Sequence, residues 1–232
     1  MASNILNYLK IIRPNIYDSH NTNILSAEDN RTFEVLTELQ EVPKIVIQDY
    51  QFQTCKELII TAYGKCAEDK RDIYQYIANL KGNLLVKTWT NGQGQALPRM
   101  KNVFDVCWLK RQYNYIYKNR KIIKHWRSSK DHSKFAIAVC GKPALVCIGD
   151  LNRTRSQLRR GGGVLCFENN RIWNFLNNMI AAKSVLTGEV ELFSGENIGG
   201  SARRSDGDDD TDEDFFFRMR IRLSFLFYAL CI

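Results

Sequence analysis

The chain has 232 residues, 44% hydrophobic and 25% charged, enough to bury one good core but short for two full domains, which excludes a collagenous, low-complexity or wholly disordered protein. The net charge of +8 conceals a larger asymmetry: 14 Lys or Arg lie between Lys110 and Arg160 against Asp131 and Asp150 alone, while seven acids crowd Asp206 to Asp214. The longest apolar stretch, Ile221 to Ile232, is interrupted by Arg222 and Ser224 and falls well short of the roughly 20 residues needed to cross a bilayer, so no membrane span is expected. Met1 to Lys10, followed by Ile11-Ile12-Arg13-Pro14, lacks the apolar core of about 7 to 15 residues that a secretory leader carries, and no signal peptide is read there.

Lys44 to Tyr50 and Gly82 to Trp89 carry β-branched or apolar runs beside Pro43, Gly82 and Asn83 and read as strands. Between them, Asp72 to Leu80 sets Ile73, Tyr76, Ile77 and Leu80 at helical spacing, and this alternation predicts an α/β architecture. Lys134 to Cys140 and Ala144 to Ile148 flank Gly141-Lys142-Pro143 and predict a buried hairpin. Asn169 or Asn170 is placed to cap a helix whose Ile172, Phe175, Leu176, Met179 and Ile180 form one stripe, expected to pack on the sheet. Gly195 to Asp214 is too polar to offset its chain entropy and reads as a disordered acidic tail, followed by an apolar and basic segment from Phe215 to Ile232.

The basic middle of the chain favours a polyanionic partner such as nucleic acid or an anionic membrane, through counterion release and steering; a merely solvated basic face is the alternative. The seven cysteines form no C-x-x-C pair, which gives a structural zinc site little support. The sequons at Asn30-Arg31-Thr32 and Asn152-Arg153-Thr154 suit an oxidising compartment, although scattered core thiols remain an alternative for the cysteines.

Only His20, His125 and His132 are available for acid/base or nucleophilic work near neutral pH. His132 opens Asp131-His132-Ser133-Lys134 at the start of a predicted strand, where alternation turns His132 and Lys134 to one side. An imidazole beside a fixed ammonium suits a phosphate ester: the ring nitrogen attacks phosphorus or shuttles the proton, and Lys134 holds the non-bridging oxygens. Such a mechanism requires no metal or other cofactor. Downstream come Gly149-Asp150-Leu151-Asn152-Arg153, then Arg160-Gly161-Gly162-Gly163, then Cys166. Asp150 and Asn152 sit where a strand would end, short and polar enough to orient an imidazole or bind a phosphate oxygen. The triple glycine permits positive φ and close backbone approach to an anion. Separately, these pieces are a polar turn, a flexible loop and a core thiol.

Together they resemble the deoxyribonuclease II family, whose C-terminal half carries DHSK, a strand pair, GDxNR, a basic spacer, RGGG and a cysteine in this order and spacing. The resemblance continues more loosely upstream through Pro14-Asn15-Ile16-Tyr17-Asp18, Leu84-Leu85-Val86-Lys87-Thr88-Trp89 and Leu97-Pro98, and covers about residues 7 to 183. It implies one half of a phospholipase D-like fold over residues 1–183, a mixed β-sheet flanked by helices; 184–214, an acidic linker by its composition, and 215–232, a separate terminal segment, have no counterpart in the family. It implies an endonuclease that cleaves DNA at acidic pH without a divalent cation, leaving 3′-phosphate ends, in lysosomes or after secretion. By position it makes His132 a catalytic histidine, Lys134 its phosphate-binding neighbour and Asn152 a supporting polar group. Asp150, Arg153, Arg160, Gly161, Gly162 and Gly163 then line the substrate. It also implies a Cys147–Cys166 disulfide, which closes a loop of about 20 residues and contributes on the order of 3 kcal/mol.

The family carries a second H-x-K motif that this sequence lacks: His20 is followed by Asn21 and Thr22, and His125 by Trp126 and Arg127. One histidine cannot act as nucleophile and as separate leaving-group acid in the same step. Two expectations follow. In one, a homodimer completes the site, two His132 residues facing each other across a twofold axis. In the other, the chain is an incomplete relative that binds nucleic acid without cutting it. Phosphodiester transfer on lipid headgroups is a more distant third, since fold alone does not settle substrate.

Overall fold

The computed structural model describes residues 2–13, 46–90, 95–98, 100–115, 120–184 and 190–192. Helix α1 (Ala2–Ile12) precedes strands β1 (Ile47–Gln53) and β2 (Ile59–Lys65), helix α2 (Ile73–Lys81) and strands β3 (Leu84–Lys87), β4 (Val103–Tyr115) and β5 (Arg120–Arg127). After them come β6 (Phe135–Ala138), β7 (Leu145–Gly149), β8 (Gly162–Glu168), helix α3 (Asn170–Met179), β9 (Ile180–Ser184) and β10 (Val190–Leu192). Short 3-10 turns occupy Ser128–Lys130 and Arg155–Arg159. The strands form a single ten-stranded sheet in the order β1-β2-β8-β7-β6-β3-β4-β9-β10, with β5 paired to β4. Among the described strands only β3 and β4 run parallel, so the sheet is mixed and the expected α/β architecture holds.

The central strands are apolar on both sides because helices cover both faces. Leu84 and Val86 of β3, Leu145 and Cys147 of β7, and Val164 and Cys166 of β8 pack beneath α2. The alternate residues Leu85, Val146, Leu165 and Phe167 face α1 and α3. Cys147 and Cys166 are register partners on β7 and β8, with Cα atoms 4.1 Å apart, and form the implied disulfide.

The helix over 73–81 begins where the Asp72 carboxylate accepts the Tyr74 N–H at 3.0 Å and ends at Gly82, whose φ of 93° suits glycine. Its buried face differs from the expected one: Ile73 and Ile77 are inside, but Leu80 is 56% exposed, and Tyr74 and Ala78 complete the face. Tyr74 can be buried because its hydroxyl donates to the Leu151 carbonyl at 3.0 Å.

The hairpin of β6 and β7 forms as expected, turning through Gly141 at φ 64°. Asn169 caps α3 by accepting the Ile172 N–H at 3.0 Å. Here too the stripe is rotated from its expected position. Trp173, Leu176 and Met179 pack on the sheet, whereas Ile172 and Phe175 are exposed and Ile180 opens β9. Trp173 sets this rotation: its indole N–H donates to the Ala138 carbonyl at 2.9 Å, and its ring lies 2.8 Å from where a Cβ on Gly141 would sit. Among the described residues no helix is long and apolar enough to cross a membrane. Pro14 to Asp18, His20, the Asn30 sequon, the acidic run and the 215–232 segment lie outside the described residues.

Candidate active site

Asp131 to Lys134 do not belong to a strand; β6 begins at Phe135, so His132 and Lys134 are not related by strand alternation. The turn is built instead around Lys87, the last residue of β3, whose side chain is fully buried. Its ammonium donates to the carbonyl oxygens of Asp131 at 2.7 Å and Ser133 at 3.2 Å, and lies 3.7 Å from the Asp131 carboxylate. Asp131 closes the turn by accepting the Ser133 N–H at 2.7 Å and the Trp126 indole N–H at 3.2 Å. The carbonyls on either side of His132 thus point inward at one cation, and the His132 side chain is exposed.

Burial pushes the Lys87 ammonium down to about 8, against the pull of Asp131. Burial also works against the Asp131 carboxylate, but Lys87 and the Ser133 and Trp126 donors outweigh it and hold that carboxyl below its ordinary range. Because the folded value for Lys87 lies below the unfolded one, the unfolded chain holds the extra proton between about pH 8 and 10.5, and this residue's contribution to stability rises with pH across that window. The gap corresponds to about 3 kcal/mol. Urea unfolding of wild type and Lys87→Met at pH 7.5 and 10 should show wild type gaining on the variant by about that amount; parallel behaviour would contradict a buried, caged ammonium.

Trp89, two residues beyond Lys87, stacks on the His132 imidazole with ring centroids 4.1 Å apart and planes inclined by 26°. Its indole N–H donates to the Ser129 carbonyl at 2.9 Å, and its backbone N–H donates to Asn152 Oδ1 at 3.1 Å. Asn152 is therefore bonded to the residue that stacks on His132. The half-buried amide of that sequon is engaged within the site.

Lys134 folds back so that its ammonium donates to the His132 carbonyl at 3.0 Å. Burial lowers its pKa, Asp150 opposes that shift and the nearby Arg160 reinforces it, which places Lys134, Asp150 and Arg160 in one electrostatic neighbourhood. The Asp150 carboxyl is pushed up by burial and accepts the Gly163 N–H at 2.9 Å.

The glycine run does not form an open anion loop. None of Gly161 to Gly163 has positive φ, and Gly162 and Gly163 begin β8. Their small size is demanded from inside: a Cβ on Gly162 would lie 2.6 Å from Asp150 Oδ1, and one on Gly163 would meet the Tyr8 hydroxyl.

Arg153 also has a different place from the one expected. It is 2% exposed, and its guanidinium donates to Asp72 at 2.7 Å, Asp105 at 2.5 Å and the Pro98 carbonyl at 3.3 Å. It fastens the loop after β7 to α2, β4 and the 95–98 segment, whose Leu97 N–H returns to the Arg153 carbonyl at 3.1 Å. Lys65 at the end of β2 does the same for the basic spacer, donating to the carbonyls of Leu158 at 2.7 Å, Arg160 at 3.0 Å and Cys66 at 3.3 Å. Arg160 itself is exposed. Three buried cations thus anchor three loops, and the exposed His132 and Arg160 ride on that frame.

The family model for deoxyribonuclease II matches residues 1–184. The chain belongs to the deoxyribonuclease II family. It is similar to cell-death-related nuclease 7 of Caenorhabditis elegans, 30% identical over 61% of this chain and 38% of that relative. It is also similar to deoxyribonuclease-2 of the same nematode, 28% identical over 69% of this chain and 42% of the relative. Plancitoxin-1 of Acanthaster planci is 24% identical over 75% and 47%. The chain therefore spans less than half the length of these curated relatives.

Within this deoxyribonuclease II-type arrangement, the sequence reading gave no role to Lys87, Lys65 or Trp89. A signal existed for the first and last: a lysine ending the fully apolar run Leu84-Leu85-Val86, followed at once by Thr88-Trp89, is unusual unless its charge meets a built partner.

Proposed function

We propose that this chain carries a deoxyribonuclease II-type endonuclease site that hydrolyses DNA phosphodiester bonds without a metal or other cofactor, on half of a phospholipase D-like fold. The observation that supports it most directly is the exposed His132 ring stacked on Trp89, with the Lys134 ammonium on the His132 carbonyl, in a chain of this family. A ring nitrogen of His132 bonds to phosphorus as the bond from phosphorus to the 5′ oxygen breaks; water then cleaves the nitrogen–phosphorus bond and leaves a 3′-phosphate. Lys134 and Arg160 offset charge that develops on the non-bridging oxygens. Asn152 and Trp89 keep the imidazole from turning away.

The departing 5′ oxygen needs a proton from a second imidazole. In this reading it comes from His132 of another copy, for which the exposure of this ring leaves room. An acidic optimum follows, because one imidazole starts protonated and its partner neutral. A lysosomal or secreted setting fits the Cys147–Cys166 bridge.

Plasmid digestion in EDTA at about pH 5, with analysis of the cut ends and size-exclusion chromatography, tests the reading. The expected result is metal-independent nicking, 3′-phosphate termini and elution as a dimer. Nicking that appears only when a divalent cation is added, or 5′-phosphate termini, overturns the mechanism. A monomer that cuts overturns the twofold arrangement.

A further inference from the structure

We propose that the β4–β5 hairpin is an arm that enters a groove of duplex DNA beside the scissile phosphate, an inference that rests on the phosphodiesterase reading of the His132 site. β4 is long enough to outrun the sheet. It pairs with β3 over Val103 to Asp105 and with β9 over Val106 to Leu109, and from Lys110 to Tyr115 its partner in the described sheet is β5 alone. The paired ribbon runs from Trp108–Arg127 to Tyr115–Arg120, seven steps of about 3.4 Å, or about 24 Å.

Its charge is of one sign. Between Cys107 and Lys130 the sequence has eight Lys or Arg and no acid, interspersed with two Trp and three Tyr. Register assigns Lys110 and Arg127 to one face and Arg111 and Lys124 to the other. Trp108, Lys110, His125 and Arg127 share one face, with the Arg127 guanidinium 5.3 Å above the Trp108 ring. Leu109 and Trp126 share the other, inward at the base, and Arg111 with Lys124 continue that face where the core has ended. Arg111, Lys124, His125 and Arg127 are exposed.

A two-stranded ribbon fits a major groove, whose two walls each carry a row of phosphates. Cations on both faces neutralise both rows, whereas a single strand offers only one. The ribbon's length corresponds to about seven base pairs at 3.4 Å each. Its base is tied to the site: β5 leads through Ser128–Lys130 into Asp131 and His132, and the Trp126 indole holds the Asp131 carboxylate. A duplex seated on the ribbon therefore brings its backbone to His132.

The test is the triple variant Lys110→Gln/Arg111→Gln/Lys124→Gln, with Lys110→Arg/Lys124→Arg as the charge-preserving control. Fluorescence anisotropy with duplex and single-stranded oligonucleotides over 50 to 200 mM salt reads binding. The salt slope for duplex is expected to fall by about 2 to 3, close to 0.9 for each phosphate contact removed, with KM for plasmid rising about tenfold or more. Turnover of bis(p-nitrophenyl) phosphate, too small to touch the ribbon, is expected to be unchanged, and the control should bind as wild type does. An unaltered slope overturns the arm, and an equal loss for single-stranded DNA overturns the preference for duplex. Binding is measured without cleavage, so a wild-type protein that cuts nothing would defeat the catalytic reading while the slope still decides the role of the ribbon.

Discussion

Replacing His132 by alanine is expected to lower turnover on plasmid DNA by about 10³- to 10⁴-fold, the range that a nucleophilic or general acid–base side chain contributes. The same change should leave DNA affinity within about twofold, since the cations that neutralise phosphate are elsewhere. Trp89→Leu supplies the companion measurement. It retains the imidazole but removes the plane 4.1 Å away on which the ring lies, and should cost about 10²-fold through misplacement alone. Initial rates on supercoiled plasmid, with kcat and KM separated, distinguish the two. Cutting by His132→Ala at the wild-type rate would remove the proposed chemistry altogether.

Arg153→Met should destabilise the fold by about 3 to 5 kcal/mol, toward the lower figure because Asp105 is 28% exposed and can recover some hydration. The argument is one of removal. Asp72 is 7% exposed and would be left with its N-cap bond to Tyr74 but without its guanidinium; Asp105 and the Pro98 carbonyl would each lose one bond as well. For a chain of this size the melting temperature should fall by about 6 to 20 °C. Arg153→Lys should recover little of this, because a single ammonium cannot span two carboxylates and a carbonyl as the planar fork does. Urea denaturation monitored by tryptophan fluorescence reads the effect, and a loss below about 1 kcal/mol would show that this buried pairing does not hold the loop.

The elements legible in the sequence were those whose pattern is local. The run over 84–87, the helix after Asp72 and the hairpin around Gly141 each carry their own period and punctuation. β8 was not legible, because its Gly162 and Gly163 read as a flexible loop until Asp150 and Tyr8 are known to lie against them, and β2 carries a glycine, Gly64, that is likewise covered by Tyr8, Ile11 and Ile12. β4 and β5 were hidden by charge: Lys110, Arg111, Lys124 and Arg127 break the apolar alternation that marks a strand half-buried in a core. For the candidate site, the DHSK and GDxNR segments marked two loops that the structure joins through Trp89, which stacks on His132 and donates to Asn152. The sequence could not show that Arg153 faces inward, since its partners Asp72 and Asp105 are 81 and 48 residues away.

The Lys87 anchorage bears on where such a site can operate. A fastening made of an ammonium and main-chain oxygens gains no proton as the medium acidifies, unlike one that depends on a carboxylate alone. With its value lowered to about 8, Lys87 stays charged and bonded throughout the acid range, and the cost of burying that charge is relieved only on the alkaline side. The main-chain bonds beneath His132 thus keep one protonation state in acid, and the Asp131 carboxylate, held below its ordinary range, is the member of the turn that strong acid still reaches.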